Sequence, residues 1–310
     1  MTPDLSLDLT GKTAEDWFAS LEDLTEESGY IEQVSDKHAA LFIDAGRKLL
    51  VTFERRSTIM ERPRAVPRGF ELVSKNGWSL LTIIAEDDTW FRDSRLFGFF
   101  DRQVDDGFFE DFDDVVFFGV REGGYAAGAY SVAAPGARVV MVRPVATLSP
   151  SVAGWDRRFV AQRRLDFTSR YGYAPDMIEA AEEAFVVFDP TVPHDAIHAA
   201  MFRGSNLVPL RARYARPQVE RLLDQVDITV PLLEQAMAGT LSQASFAKLF
   251  RARRKSSAYL RNLLKQTERN GRTDLSARLC RFGLTQADAR HYEIHLRQRG
   301  LTTREQTAAQ

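Results

Sequence analysis

The chain has 310 residues, 44% of them hydrophobic, enough for one large α/β domain with a helical extension or for two modest domains. A single cysteine, Cys280, excludes a disulfide framework and cysteine-rich zinc sites, and it reads as a buried thiol. The net charge of −2 conceals an asymmetry, because residues 243–300 hold 14 Lys and Arg against 4 Asp and Glu, leaving the remainder acidic.

The first nine residues are acidic and polar, with no basic segment leading into an apolar run, so no secretory signal is visible. No run approaches about 18 apolar residues, so no membrane span is expected and a cytoplasmic location is the default. Residues 13–32 predict an amphipathic helix, since Trp17, Leu21 and Leu24 recur at helical steps with acids between them. Strand-like runs follow at 40–43 and 49–53, and Asp44-Ala45-Gly46 between them predicts a hairpin. Phenylalanines crowd between Trp90 and Phe118, which predicts a dense aromatic core.

Further apolar runs at 80–85, 115–118, 138–142, 185–188 and 207–210 are continuous rather than alternating, as in strands covered on both faces. Helix-length segments at 95–112, 124–134, 157–171 and 193–202 separate them, and this alternation argues for a mostly parallel sheet flanked by helices. From residue 218 strand signals vanish, and 219–238, 243–254, 257–269, 274–281 and 285–299 read as helices. The expected organisation is an α/β domain over 1–216, a basic helical extension over 217–300 and a disordered tail over 301–310.

The most informative segment is 115–127, where an apolar strand enters a glycine-flanked turn and leaves as a helix of small residues. That is the context of a G-x-S-x-G nucleophile elbow. The bend forces its middle residue into a strained conformation and leaves the flanks no room for side chains. Gly119 and Gly123 hold the flanks, Gly124 follows, Arg121 stands in the middle and Glu122 comes next. A guanidinium stays protonated and supplies no nucleophile.

Gly-Gly-Tyr-Ala-Ala at 123–127, V-M-V-R-P-V-A-T-L-S-P at 140–150 and Trp155-Asp156-Arg157-Arg158 occur in that order. Together they resemble bacterial α/β-hydrolase-like proteins, in which G-x-S-M-G-G-Y-A-A is followed by a strand ending in P-Q-A-T-L and a W-D-x-R segment. The resemblance runs from about residue 17 to 213 and implies an α/β-hydrolase-like sheet with an all-helical C-terminal extension. It also implies a catalytic acid in the loop after 185–188, matched by Asp189 or Asp195, and a histidine after 207–210. This chain departs from the pattern twice: Arg121 replaces the serine, and Arg211, Arg213 and Arg216 occupy the histidine's connection. His194 and His198 lie beside the acid, on the wrong connection.

Three functions follow as expectations. The first is a non-catalytic pseudo-hydrolase whose Gly119, Arg121, Glu122, Gly123 and Gly124, with Arg211, Arg213 and Arg216, bind an anionic small molecule such as a carbohydrate acid or a phosphate. Equally, Arg121 pairs internally with Glu122, Asp189 or Asp195. The second is binding of nucleic acid, an acidic macromolecule or a second copy through Arg251, Arg253, Arg254, Lys255, Arg261 and Lys265. Those basic helices alternatively dock on the acidic stretch holding Asp101, Asp105, Asp111 and Asp113. The third is an atypical hydrolase or transferase acting on polysaccharide or lipid, through a displaced Ser131 or Ser149 or a Glu122–Asp195 carboxylate pair. His194 and His198 are four apart but lack a third ligand beyond Asp195, so no metal is expected, and no cofactor.

Overall fold

Continuous apolar runs need cover on both faces, and the chain folds to provide it. The computed structural model describes residues 7–216, 218–286 and 288–298. Eight strands form one sheet: β1 (Gly29–Ser35), β2 (His38–Ile43), β3 (Lys48–Arg55), β4 (Ser79–Ala85), β5 (Asp114–Val120), β6 (Arg138–Val142), β7 (Glu183–Phe188) and β8 (Leu207–Arg211). Their order is β1-β2-β4-β3-β5-β6-β7-β8. β2 runs antiparallel to both its neighbours, and β3 to β8 are mutually parallel. With helices on both faces and helices only after β8, this is an α/β-hydrolase-like architecture.

The strand runs fall where the apolar pattern puts them, but several local expectations fail. The runs at 40–43 and 49–53 are β2 and β3, yet they form no hairpin, because β4 lies between them. Ser79, at the start of β4, explains the separation. Its hydroxyl accepts from the backbone N–H groups of Ala45 and Gly46 at 3.0 and 3.1 Å and donates to the Gly46 carbonyl at 2.7 Å. The polar backbone of the connection is thus satisfied by β4 itself. The true hairpin joins β1 to β2, and the first helix spans only Ala14–Thr25 rather than 13–32. Gly29 enforces the strand there, since a Cβ on it would sit 2.0 Å from the Phe42 carbonyl oxygen.

The helix expected at 157–171 is instead two 3-10 turns, Arg157–Phe159 and Ala161–Arg164, and a loop. Asp156 and Asp166 capture following backbone N–H groups at 2.8–3.0 Å, which competes with helix formation. The segment 219–238 divides into helices Val219–Gln225 and Thr229–Met237, with Asp227 between them at φ 54°. The last helix is Ala289–Gln298, and the tail expected to be disordered, 301–310, lies outside the described residues. No helix among the described residues is long and apolar enough to cross a membrane.

Two apolar layers enclose the sheet. On one face Trp17, Leu80, Val116 and Phe185 share a core with Leu232, Met237, Phe246 and Tyr292 of the C-terminal helices. Helix Thr229–Met237 packs directly on β5 and β6. The other face is aromatic. Phe100 stacks on Tyr130 with ring centroids 4.4 Å apart, Phe53 lies against both, and the Tyr130 hydroxyl donates to the Phe91 carbonyl at 2.6 Å. Each ring contributes burial plus pairwise ring contact. Phe100→Ala is expected to lower unfolding free energy by about 3–5 kcal/mol in urea; a loss below about 1 kcal/mol contradicts this packing.

Candidate functional site

The chain turns from β5 into helix Glu122–Tyr130 through one residue, Arg121, at φ 53° and ψ −111°. A side chain in this region is strained by about 1–3 kcal/mol and persists only where its surroundings fix it. Two hydrogen bonds do so: Arg121 N–H donates to the Val142 carbonyl of β6, and Tyr125 N–H donates to the Arg121 carbonyl, both at 2.9 Å. The flanking glycines are required. A Cβ on Gly119 would lie 1.9 Å from the Gly123 oxygen, and one on Gly123 would lie 2.2 Å from the Phe53 oxygen. Gly124 is less tightly enclosed, its nearest contact being the Gly119 oxygen at 3.2 Å.

Beyond the bend lies a cavity of about 410 Å³, at the carboxyl ends of β3 and β5 and closed on one side by residues 218–224. Gly119, Arg121, Glu122 and Gly123 line it, and Gly124 does not. Arg55, Arg62, Arg68 and Arg221 join them, opposed by Glu54, Glu61, Glu220 and Asp224. No serine, cysteine or histidine lines it among the described residues, and Thr58 supplies the one side-chain hydroxyl there.

Ion pairs divide these charges unevenly. Buried Glu54 accepts from Arg68 N–H at 2.7 Å and also engages the Arg62 and Arg68 guanidinium groups. Arg68 grips Asp224 through two hydrogen bonds of 2.8 Å. Arg55 Nε lies 2.8 Å from Glu122 Oε1. Arg121 keeps one long contact, 3.5 Å from its Nε to Glu122 Oε2, while its side chain is 37% exposed and its guanidinium lies 5.7 Å from the Phe159 ring centroid. The internal partner of Arg121 is therefore Glu122.

Arg211 and Arg213 do not reach this cavity. They line a separate groove against helices Gln243–Leu249 and Ser257–Arg269. After β8 the chain turns at Tyr214, φ 65°, and Arg216 is anchored through its backbone: its N–H donates to Asp189 Oδ2 at 3.2 Å and its carbonyl accepts from Asn262 at 2.9 Å. What arrives beside Arg121 from this connection is Gln218, Glu220, Arg221 and Asp224. Their only sequence signal is their place just after the last strand.

Both candidate acids are occupied. Asp189 is fully buried and accepts from Thr191 N–H at 2.9 Å and its hydroxyl at 2.8 Å, which closes a turn. Asp195 is held between Arg143 at 3.1 Å and Arg158 at 2.6 Å. Arg143, at φ 50° at the end of β6, continues to Glu220 at 2.9 Å. Charges thus run unbroken from the Trp-Asp-Arg-Arg segment to the cavity wall. Sequence reading missed Arg143, because its partners are distant in the chain.

His198 starts that network. Its Nδ1 accepts from Ala146 N–H at 3.2 Å, so Nε2 carries the proton and donates to Asp156 Oδ2 at 3.0 Å. Burial pushes the imidazole pKa below 6.5 despite the contact with Asp156. Burial opposes ionisation of Asp156 too, yet hydrogen bonds from Arg158 and His198 outweigh it and hold that pKa at about 2. Ser131 donates to the Gly128 carbonyl at 2.9 Å, and Ser149 and Ser151 share a 2.9 Å hydrogen bond on another surface. Cys280 is buried, and no metal-competent cluster of His, Cys, Asp or Glu exists among the described residues. Of the basic set, Arg261 pairs with Asp288, and Arg253 donates to the Tyr259 hydroxyl at 3.0 Å. Arg251, Arg254, Lys255 and Lys265 are exposed.

No family model matches the sequence, and no curated protein matches it. Among solved structures, the capsule O-acetyltransferase of Neisseria meningitidis serogroup A is 9% identical with a TM-score of 0.40, covering 64% of this chain and 92% of that one. The Glycosylation Associate Protein (Gap123) complex from Streptococcus agalactiae is 13% identical with a TM-score of 0.45, covering 69% and 47%. EstE1, a thermophilic carboxylesterase cloned from a metagenomic library, is 12% identical with a TM-score of 0.42, covering 78% and 98%.

The His198 geometry carries a pH dependence. The folded pKa lies below the unfolded one, so its contribution is complete above about pH 6.5 and declines as pH falls toward the folded value. Asp156 adds a second decline between about 3.8 and 2. NMR is expected to show neutral His198 protonated on Nε2 with a midpoint below 6.5, alongside urea stability that falls below that pH. A midpoint above 6.5 would contradict the assignment.

Proposed function

We propose that the chain is a non-catalytic α/β-hydrolase-like protein that binds an anionic ligand in the cavity beside Arg121. The bend after β5 is a nucleophile elbow whose serine has been replaced. The observation that supports this most directly is Arg121 itself: at a one-residue bend it has only one long ion-pair contact, and it lines a cavity with no serine, cysteine or histidine among the described residues. Acyl transfer on this fold needs a nucleophile and an imidazole to activate it. Thr58 has no such partner in the lining, so the hydrolase or transferase reading draws no support from the cavity.

The guanidinium fork suits carboxylate or phosphate, and the N–H groups opening helix Glu122–Tyr130 favour the same charge. The cavity volume of about 410 Å³ suits a small molecule. Glu54, Glu61, Glu122, Glu220 and Asp224 balance Arg55, Arg62, Arg68, Arg121 and Arg221 around the wall, which leaves little net positive charge for a multiply charged ligand, and Glu61, outside the ion pairs described above, can accept from a hydroxyl. A singly charged, polyhydroxylated acid, such as a uronic acid, therefore fits better than a bare inorganic anion.

Differential scanning fluorimetry with glucuronate, galacturonate, inorganic phosphate and AMP tests the reading. A uronate at saturation is expected to raise Tm by about 2–4 °C, and Arg121→Ala is expected to abolish the rise. The reading fails if none of the four shifts Tm, or if the shift survives in Arg121→Ala.

A further inference from the structure

Many arginines of the sheet half are neutralised by a carboxylate. Arg47, Arg56, Arg68, Arg102 and Arg138 each meet a carboxylate at 2.5–3.0 Å. A different situation holds beside β8. Arg211, Arg213, Arg253, Arg254, Arg272 and Arg278 line one continuous groove and have no carboxylate partner among the described residues. The groove consists of two hollows of about 510 and 530 Å³ that share Arg213, Tyr214, Arg253, Tyr259 and Leu263. No aspartate or glutamate lines either hollow among the described residues. The acidic stretch before β5 does not dock here, since its Asp101 pairs with Arg170 and its Asp113 with Arg47.

The floor of this basic groove is apolar. Leu260, Leu263, Leu275, Leu279 and Phe282 form it, with Leu275 41% and Phe282 39% exposed. Uncompensated like charge lowers the stability of the free chain, and exposed apolar surface adds a liability. One partner offsets both.

We infer that this groove is a docking surface for an acidic amphipathic helix of a partner protein. Carboxylates along such a helix meet the arginine rim, and its apolar side chains at i, i+3, i+4 and i+7 enter the leucine floor. A nucleic acid brings phosphates but no aliphatic side chains. Of the rings on the groove, Tyr259 is 6% exposed and hydrogen-bonded to Arg253, which leaves Tyr214 and Phe282 as the surfaces on which a base could stack. The chain's own outlying segments have the wrong charge: residues 1–6 carry one aspartate, and 299–310 carry two arginines and one glutamate.

Fluorescence anisotropy on the full-length protein decides it. The probe is a synthetic peptide of Leu and Glu with leucines on one helical face, stapled to stay helical. Controls are a scrambled peptide of equal composition and an oligothymidylate. The amphipathic peptide is expected to bind at least about tenfold more tightly than either control. The double variant Arg272→Glu, Arg278→Glu and the single variant Leu275→Asp, all at exposed positions, are each expected to weaken it about tenfold while circular dichroism stays unchanged. Arg121→Ala, in the separate cavity, is expected to leave it unaltered. The inference is overturned if the peptide does not bind, if the scrambled peptide binds equally, if the oligothymidylate binds more tightly, or if the groove variants bind as the parent does.

Discussion

The site rests on one steric constraint: β5 must become a helix within a single residue. A Cβ on Gly119 would strike the Gly123 backbone and one on Gly123 the Phe53 carbonyl, so neither flank accepts a side chain, and the whole direction change falls on Arg121. Hydrogen bonds to β6 and back from Tyr125 hold that residue in its left-handed conformation. The strain is the same that would present a nucleophile, but here it presents a permanent cation. The bend is thus held rigidly with a guanidinium, which supplies no nucleophile, at its centre.

Electrostatics then determine what the cation is free to do. Glu54 and Asp224 absorb Arg62 and Arg68, and Arg55 takes the closer oxygen of Glu122. Arg121 is left with the farther one. The wall opposite is positioned by the relay from His198 through Asp156, Arg158, Asp195 and Arg143 to Glu220. Asp195 and His198 therefore buttress the cavity wall at Glu220. Buried charges of this kind are stable only when fully paired, which explains why the relay has no gap.

Much of this was legible in the sequence because it is local. The apolar runs of β4 to β8 are continuous, and glycines at 119 and 123 announce the bend without any tertiary knowledge. What escaped depends on partners far apart in the chain. Nothing near Asp44-Ala45-Gly46 shows that Ser79 will claim that connection, so the β2–β3 hairpin was a natural misreading. Placing Arg211 and Arg213 at the cavity followed the position of a missing histidine, but the turn at Tyr214 leaves them in another groove. The pairing of Arg55 with Glu122 joins residues from different strand ends and has no local signature.

Reaction with a fluorophosphonate probe, followed by mass spectrometry of the labelled peptide, examines the central claim most directly. With a guanidinium at the bend and no imidazole beside it, the folded protein should remain unlabelled at every residue lining the cavity. Stoichiometric labelling of a residue there, abolished by heat denaturation, would show that a functional nucleophile survives and would contradict the account.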